Sequence, residues 1–121
     1  MLFNFFLIIM TPIQEQFHDI MSRHAFKVPI IFQLPSDMEK QIKKKKLLVD
    51  YYFTVAEIIF WIRKTIRSVN GYGNYLPANE GIYLMVNDKI LRGNDTFYSV
   101  WDKKSFLIVK ICKESTFGSN Y

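Results

Sequence analysis

A single cysteine, Cys112, stands in the whole chain. One thiol can neither close an internal disulfide nor build a zinc cluster, so the fold has no covalent or metal staple. Such scarcity fits a reducing cytosolic or nuclear compartment. Histidine is nearly as rare: His18 and His24 have no further Cys or His at metal-binding spacing and read as surface or helix-lining residues. Cys112 carries no signature of a nucleophile and reads as a small hydrophobe at a strand end. No paired carboxylates offer acid–base work. Gly71-Tyr72-Gly73 lacks the third glycine of a dinucleotide loop and follows a helix instead of a strand. The expectation is a protein with no catalytic site, no metal and no cofactor.

Long apolar runs are missing too. Residues 1–10 read Met-Leu-Phe-Asn-Phe-Phe-Leu-Ile-Ile-Met, but about 18–20 apolar residues are needed to span a bilayer. No cationic residue precedes this stretch and no small-x-small site follows, which argues against a secretory signal. It is expected to form an apolar arm or helix over residues 1–15, packed on the domain or helping to hold a membrane. Asn94-Asp95-Thr96 has the glycosylation pattern, which would matter only in a secreted chain. Acidic residues are outnumbered, 11 against 16 Lys and Arg, for a net charge of +5. That balance suits an acidic partner (nucleic acid, anionic lipid or acidic peptide) without choosing among them.

Half of the 121 residues are hydrophobic and 17% are aromatic, enough for one domain with a substantial core and too many for a disordered chain. No internal repeat or low-complexity linker divides it. Ile13, Phe17, Ile20 and Met21 recur at helical spacing over residues 12–23. Residues 27–34 are rich in Val, Ile and Phe and predict a strand, with Pro29 demanding an edge position or an unpaired amide side. A Pro35-Ser36-Asp37 turn and a polar, lysine-rich connection over 38–46 lead to a second strand at 47–53. Thr54-Val55-Ala56-Glu57 is a capping box opening the main helix. Its core stripe is Val55, Ile58, Ile59, Ile62, Ile66 and Val69. Asn70-Gly71-Tyr72-Gly73-Asn74 ends it. A third strand is predicted at 81–86, a turn at Asn87-Asp88-Lys89, a short helix at 96–101 and a fourth strand at 106–112.

This order, β-β-α-β-(short helix)-β, predicts an α+β protein of the ubiquitin-like β-grasp class. It should have a four-stranded mixed sheet, a main helix and an additional N-terminal helical segment. In the last strand Leu107, Val109 and Ile111 face one side and Phe106 and Ile108 the other, so both faces call for cover. Phe60 and Trp61 lie off the core stripe, which points to a contact surface or to cover from the arm or a loop. The run Lys43-Lys44-Lys45-Lys46 reads as a solvated basic loop. Beside the apolar strand Leu47-Leu48-Val49 it has a second use, because a sheet edge can pair with an extended peptide.

Val28-Pro29-Ile30-Ile31, Lys46-Leu47-Leu48-Val49, Thr54-Val55-Ala56-Glu57 with Ile62-Arg63-Lys64, Met85-Val86-Asn87 and Ser115-Thr116-Phe117-Gly118 follow one another in fixed order. The series, spanning residues 16–118, resembles the autophagy ubiquitin-like modifiers, specifically the GABARAP-type family. The resemblance implies three units: the arm, a ubiquitin-like domain over 16–114 and a processing tail over 115–121. It implies that a cysteine protease removes Ser119-Asn120-Tyr121 after Gly118, guided by Phe117. Ubiquitin-like activating and conjugating enzymes then carry the Gly118 acyl group as a thioester to phosphatidylethanolamine. The protein would be cytoplasmic and, once lipidated, bound to the autophagosome membrane.

Partners bearing acidic-flanked aromatic-x-x-aliphatic motifs would bind two pockets. The aromatic one is implied at Ile20, Pro29, Ile31, Lys46, Leu48 and Phe106, the aliphatic one at Leu47, Val49, Ile58 and Trp61. Three residues depart from the pattern: Trp61 stands where a smaller aliphatic is usual, Asp50 for a proline and Thr65 for an arginine. The alternatives are a related modifier joined to a protein lysine, a ubiquitin-like scaffold never conjugated, and a basic nucleic-acid-binding domain. Phe117 and the three residues after Gly118 speak against the first. The concentration of lysines on one connection, without interleaved aromatics, speaks against nucleic acid.

Overall fold

The computed structural model describes residues 12–36, 38, 45–70 and 81–114. The apolar stretch 1–10, residues 71–80, Lys43 and Lys44, and residues from 115 on lie outside the described residues, as do the side chains of 66–70.

Helix α1 spans Pro12–Arg23, the range its periodicity predicts. Proline suits its first turn, where an amide would go unpaired anyway. Asp19 and Arg23 form an ion pair four residues apart on its exposed side. Strand β1, Lys27–Gln33, leads to β2, Lys46–Asp50, in an antiparallel pair with Lys27 opposite Asp50 and Pro29 opposite Leu48. The second strand is shorter than predicted because the Phe53 amide bonds the Asp50 carbonyl at 3.0 Å, turning the chain at Tyr51-Tyr52. Thr54 then caps helix α2, Val55–Asn70. The Glu57 amide donates to Thr54 Oγ1 at 3.3 Å and the Thr54 amide to Glu57 Oε1 at 3.2 Å, a complete capping box.

Strand β3, Ile82–Val86, folds back through Asn87 and Asp88 onto β4, Lys89–Ile90. Both turn residues have positive φ, 50° and 65°, the left-handed pair that a two-residue hairpin requires. The sheet therefore has five strands, and the four-strand expectation is corrected: a two-residue strand is too short to carry an alternating pattern. Thr96 caps the short helix α3, Phe97–Val100, by accepting from the Ser99 amide. Strand β5, Leu107–Lys113, completes the sheet in the order β2-β1-β5-β3-β4.

β5 runs parallel to β1 and antiparallel to β3. β1 is therefore interior, and Pro29 does not sit at an edge. The Phe32 amide donates to Lys45 on the β2 side. By alternation the Pro29 nitrogen points to the β5 side, one residue before that ladder begins at Ile30 opposite Leu107. Its missing N–H breaks nothing.

The sheet buries most of one face. Val28, Ile30 and Phe32, then Val49, Ile82, Leu84, Val86, Leu107, Val109 and Ile111, meet Val55, Ile58 and Ile62 of α2. Met38, predicted to lie in a polar connection, is fully buried in the same core. The other face is covered only in part. Phe17 of α1 packs edge-on against Phe106 and Trp101, at 5.8 and 6.3 Å between centroids. Ile108, expected to need cover, remains 42% exposed.

Candidate peptide-binding groove

β2 lies at the outer edge of the sheet with α1 beside it. Its side chains alternate: Leu47 and Val49 turn toward the α2 side, Lys46 and Leu48 toward the α1 side. A cavity of about 360 Å³ opens on the α1 side, lined by Ile20, Pro29, Ile30, Lys46, Leu47, Leu48 and Phe106. Five of the six residues assigned to the aromatic pocket meet here. Ile31 stands on the same face, opposite Lys46 in the ladder. It packs against the core without lining the cavity.

Each wall is positioned by a different element. Pro29 and Leu48 are direct ladder partners. Phe106, one residue before β5, is held from behind by Phe17. Ile20 is supplied by α1. Lys46 crosses the mouth: its ammonium lies 5.8 Å from the Phe106 ring centroid and donates to Gln16 Oε1 at 3.0 Å. Gln16, thirty residues away on α1, is a contributor that sequence reasoning missed, since no local pattern links it to Lys46. The resulting site is an apolar hole with a cation at its rim, next to a row of strand-edge backbone groups. It can take an aromatic side chain from an extended peptide and favour an acidic neighbour.

The residues assigned to the aliphatic pocket lie on the opposite, α2 side. Val49 and Ile58 are buried in the core, and Leu47 and Trp61 pack half-buried against it. The Trp61 indole stacks on Phe32, with centroids 6.3 Å apart and an interplanar angle of 19°. Phe60 points away, 67% exposed, with the Lys64 ammonium 5.8 Å from its ring centroid.

At the far end of β5 the Glu114 amide donates to the Gly81 carbonyl at 2.9 Å, fixing where the chain leaves the sheet. A Cβ at Gly81 would meet only the Glu114 carboxyl group, the mobile end of an exposed side chain that can turn aside. Phe117 and Gly118 lie outside the described residues. Among the described residues no group of three or more His, Cys, Asp or Glu gathers to hold a metal. No described helix is long and apolar enough to cross a membrane.

The family described as "Autophagy protein Atg8 ubiquitin like" matches residues 13–118 of this chain. The chain belongs to the Atg8 family. Autophagy-related protein 8 of Eremothecium gossypii is 30% identical over 105 residues, covering 83% of this chain and 81% of that protein. Autophagy-related protein 8e of Arabidopsis thaliana is 27% identical over 106 residues, covering 84% and 80%. The fold agrees with the crystal structure of Trypanosoma brucei ATG8, with a TM-score of 0.65 at 22% identity over 84% of each chain. The match is to the Atg8 family as a whole and does not single out its GABARAP-type branch. Membership makes the chain a ubiquitin-like modifier of autophagy, not an enzyme.

Proposed function

We propose that this Atg8-family chain is cleaved after Gly118 and joined through the exposed glycyl carbonyl to the amine of phosphatidylethanolamine. From the membrane it recruits proteins carrying acidic-flanked aromatic-x-x-aliphatic motifs. The observation that carries the recruiting half is the outer edge of β2, which no described strand pairs, beside the cavity of Pro29, Leu48 and Phe106, with Lys46 at its mouth. An extended peptide would extend the sheet by one strand, seat its aromatic residue in the cavity and set an acidic flank near Lys46.

The conjugating half rests on the tail. The family match ends at residue 118 and leaves Ser119, Asn120 and Tyr121 beyond it. Glycine offers an unhindered carbonyl to a protease and then to the activating and conjugating enzymes, and Phe117 is the side chain read beside it. The protein would be cytoplasmic before lipidation and on autophagosomal membranes after it.

The test is the intact mass of the chain from soluble and membrane fractions of autophagy-competent cells. Wild type should lose its last three residues and appear in the membrane fraction as a phosphatidylethanolamine adduct. Gly118→Ala should stay full-length and soluble with its fold unchanged. A lipid adduct on Gly118→Ala, or unmodified full-length wild type in both fractions, would overturn the conjugation reading.

A further inference from the structure

We infer that Gln16 makes the groove selective for acidic-flanked peptides, because its neutral amide holds the Lys46 ammonium at the cavity mouth without cancelling its charge. The inference rests on the peptide-groove reading of β2 and deepens it. Gln16 is a positioning residue that acts through Lys46.

A lysine on an edge strand is ordinarily a loose recognition element. Its ammonium is strongly hydrated and rides on a flexible four-carbon stem, so a partner that fixes it must overcome its rotamer entropy. Here the fixing is done within the domain. Lys46 Nζ donates to Gln16 Oε1 at 3.0 Å and lies 5.8 Å from the Phe106 ring centroid. Gln16 comes from α1, Lys46 from β2 and Phe106 from the approach to β5, so three elements set one position. Ile20, one helical turn beyond Gln16 on the same side of α1, lines the cavity itself. The ammonium is thereby stationed beside the place where an aromatic side chain would seat.

Both partners of the ammonium are uncharged. An amide oxygen and a ring face attract a cation and leave its net charge in place. Lys46 forms no ion pair with a described carboxylate: Asp19, on the same helix as Gln16, is taken by Arg23, and Asp50, at the other end of β2, by Lys27. An ammonium has three N–H donors, and the Gln16 bond uses one. The others can meet a carboxylate next to the seated aromatic residue. A glutamate at position 16 would have the same length and the opposite effect. Its carboxylate would pair with Lys46 and repel the incoming acid. Lys46 is exposed, so the preference is screened by salt and amounts to about fivefold at most.

The experiment measures binding of the full-length protein to two synthetic peptides by fluorescence anisotropy. Each carries tryptophan followed three residues later by valine. One is flanked on both sides by glutamate and the other by glutamine, so the readout does not depend on which way the peptide runs along β2. Wild type at low salt should bind the glutamate peptide about fivefold more tightly, and high salt should bring that ratio toward one. Gln16→Glu should bring it to one at low salt. Gln16→Met, which fills similar space without an acceptor, should leave about twofold and still reports if the glutamate variant does not fold. A packing defect alone would weaken both peptides alike and leave the ratio unchanged. An unchanged ratio in either variant, or equal binding of the two peptides by wild type, would overturn the Gln16 inference while leaving the groove reading standing. Failure of wild type to bind either peptide would overturn the groove reading, and the inference with it.

Discussion

The two faces of the sheet solve different problems with the same strands. Toward α2, every strand except the two-residue β4 contributes buried aliphatic or aromatic side chains, and no polar or charged side chain is buried among the described residues. Toward α1, cover is confined to one end, where Phe17, Trp101 and Phe106 form an edge-to-face cluster. Beyond it Ile108 and Lys110 face solvent, and Leu48 is 36% exposed at the cavity rim. The first face supplies stability. The second leaves apolar surface exposed, next to a strand edge that no described strand pairs, and it is the face on which the proposed recruitment would act.

The sharpest test of this division uses one residue type on one strand. Ile111 is 1% exposed on the α2 side and Ile108 is 42% exposed on the other. Ile111→Ala should cost about 2–5 kcal/mol of unfolding free energy, the range for a truncated buried aliphatic. Ile108→Ala should cost under about 1 kcal/mol, because most of what it loses already faced water. Urea unfolding of the two variants measures the difference, and equal costs would show that the faces do not divide the labour in this way.

The converse effect is expected at Leu48. Leu48→Ala removes part of the cavity wall but little of the core, so its stability should stay within about 1 kcal/mol of wild type. Binding of a peptide with a tryptophan anchor should weaken by about tenfold or more, roughly 1.4 kcal/mol. Unchanged binding in a folded Leu48→Ala protein would remove the cavity from the recognition surface.

Most of the stability-bearing face was legible in the sequence, because burial there follows simple periods. Val55, Ile58 and Ile62 recur at helical spacing, Leu107, Val109 and Ile111 at strand spacing, and the Thr54–Glu57 capping box marks the helix start. What escaped lacked a period or depended on distant partners. β4 is two residues long; its one signal was Asn87-Asp88, a residue pair tolerant of positive φ between two apolar stretches. Met38 is a single apolar residue in a lysine-rich connection, and nothing local says that it folds under the sheet.

The site was legible to a different degree. Ile20, Pro29, Lys46, Leu48 and Phe106 could be nominated from the family resemblance, and the fold brings them to one cavity. Gln16, which holds Lys46, and the Phe32 stack that braces Trp61 are tertiary facts with no trace in residue spacing.

The smallest expected effect concerns pH and belongs wholly to the open face. Asp50, at the end of β2, accepts from the Lys27 ammonium across the ladder and from the Tyr52 hydroxyl at 3.2 Å. The hydrogen bond from Lys27 holds its carboxyl below the usual 3.8, and the same carboxylate raises the Tyr52 hydroxyl above its ordinary 10.0. A carboxylate with a lowered folded-state pKa contributes stability that is present above its ordinary value and is lost as pH falls through the folded-state value. The raised tyrosine contributes below pH 10 and loses that contribution as pH rises past its own folded-state value. Asp50→Asn should therefore flatten both flanks of a stability–pH curve, below about pH 4 and above about pH 10. It should leave Ile111→Ala equally costly at every pH, because the α2 face contributes no buried ionisable group among the described residues. The groups are exposed, so the change is small and best read as a slope. Urea midpoints for wild type and Asp50→Asn across pH 2–5 would check the acid flank, and parallel curves there would show that the Lys27–Asp50 pair carries no pH dependence.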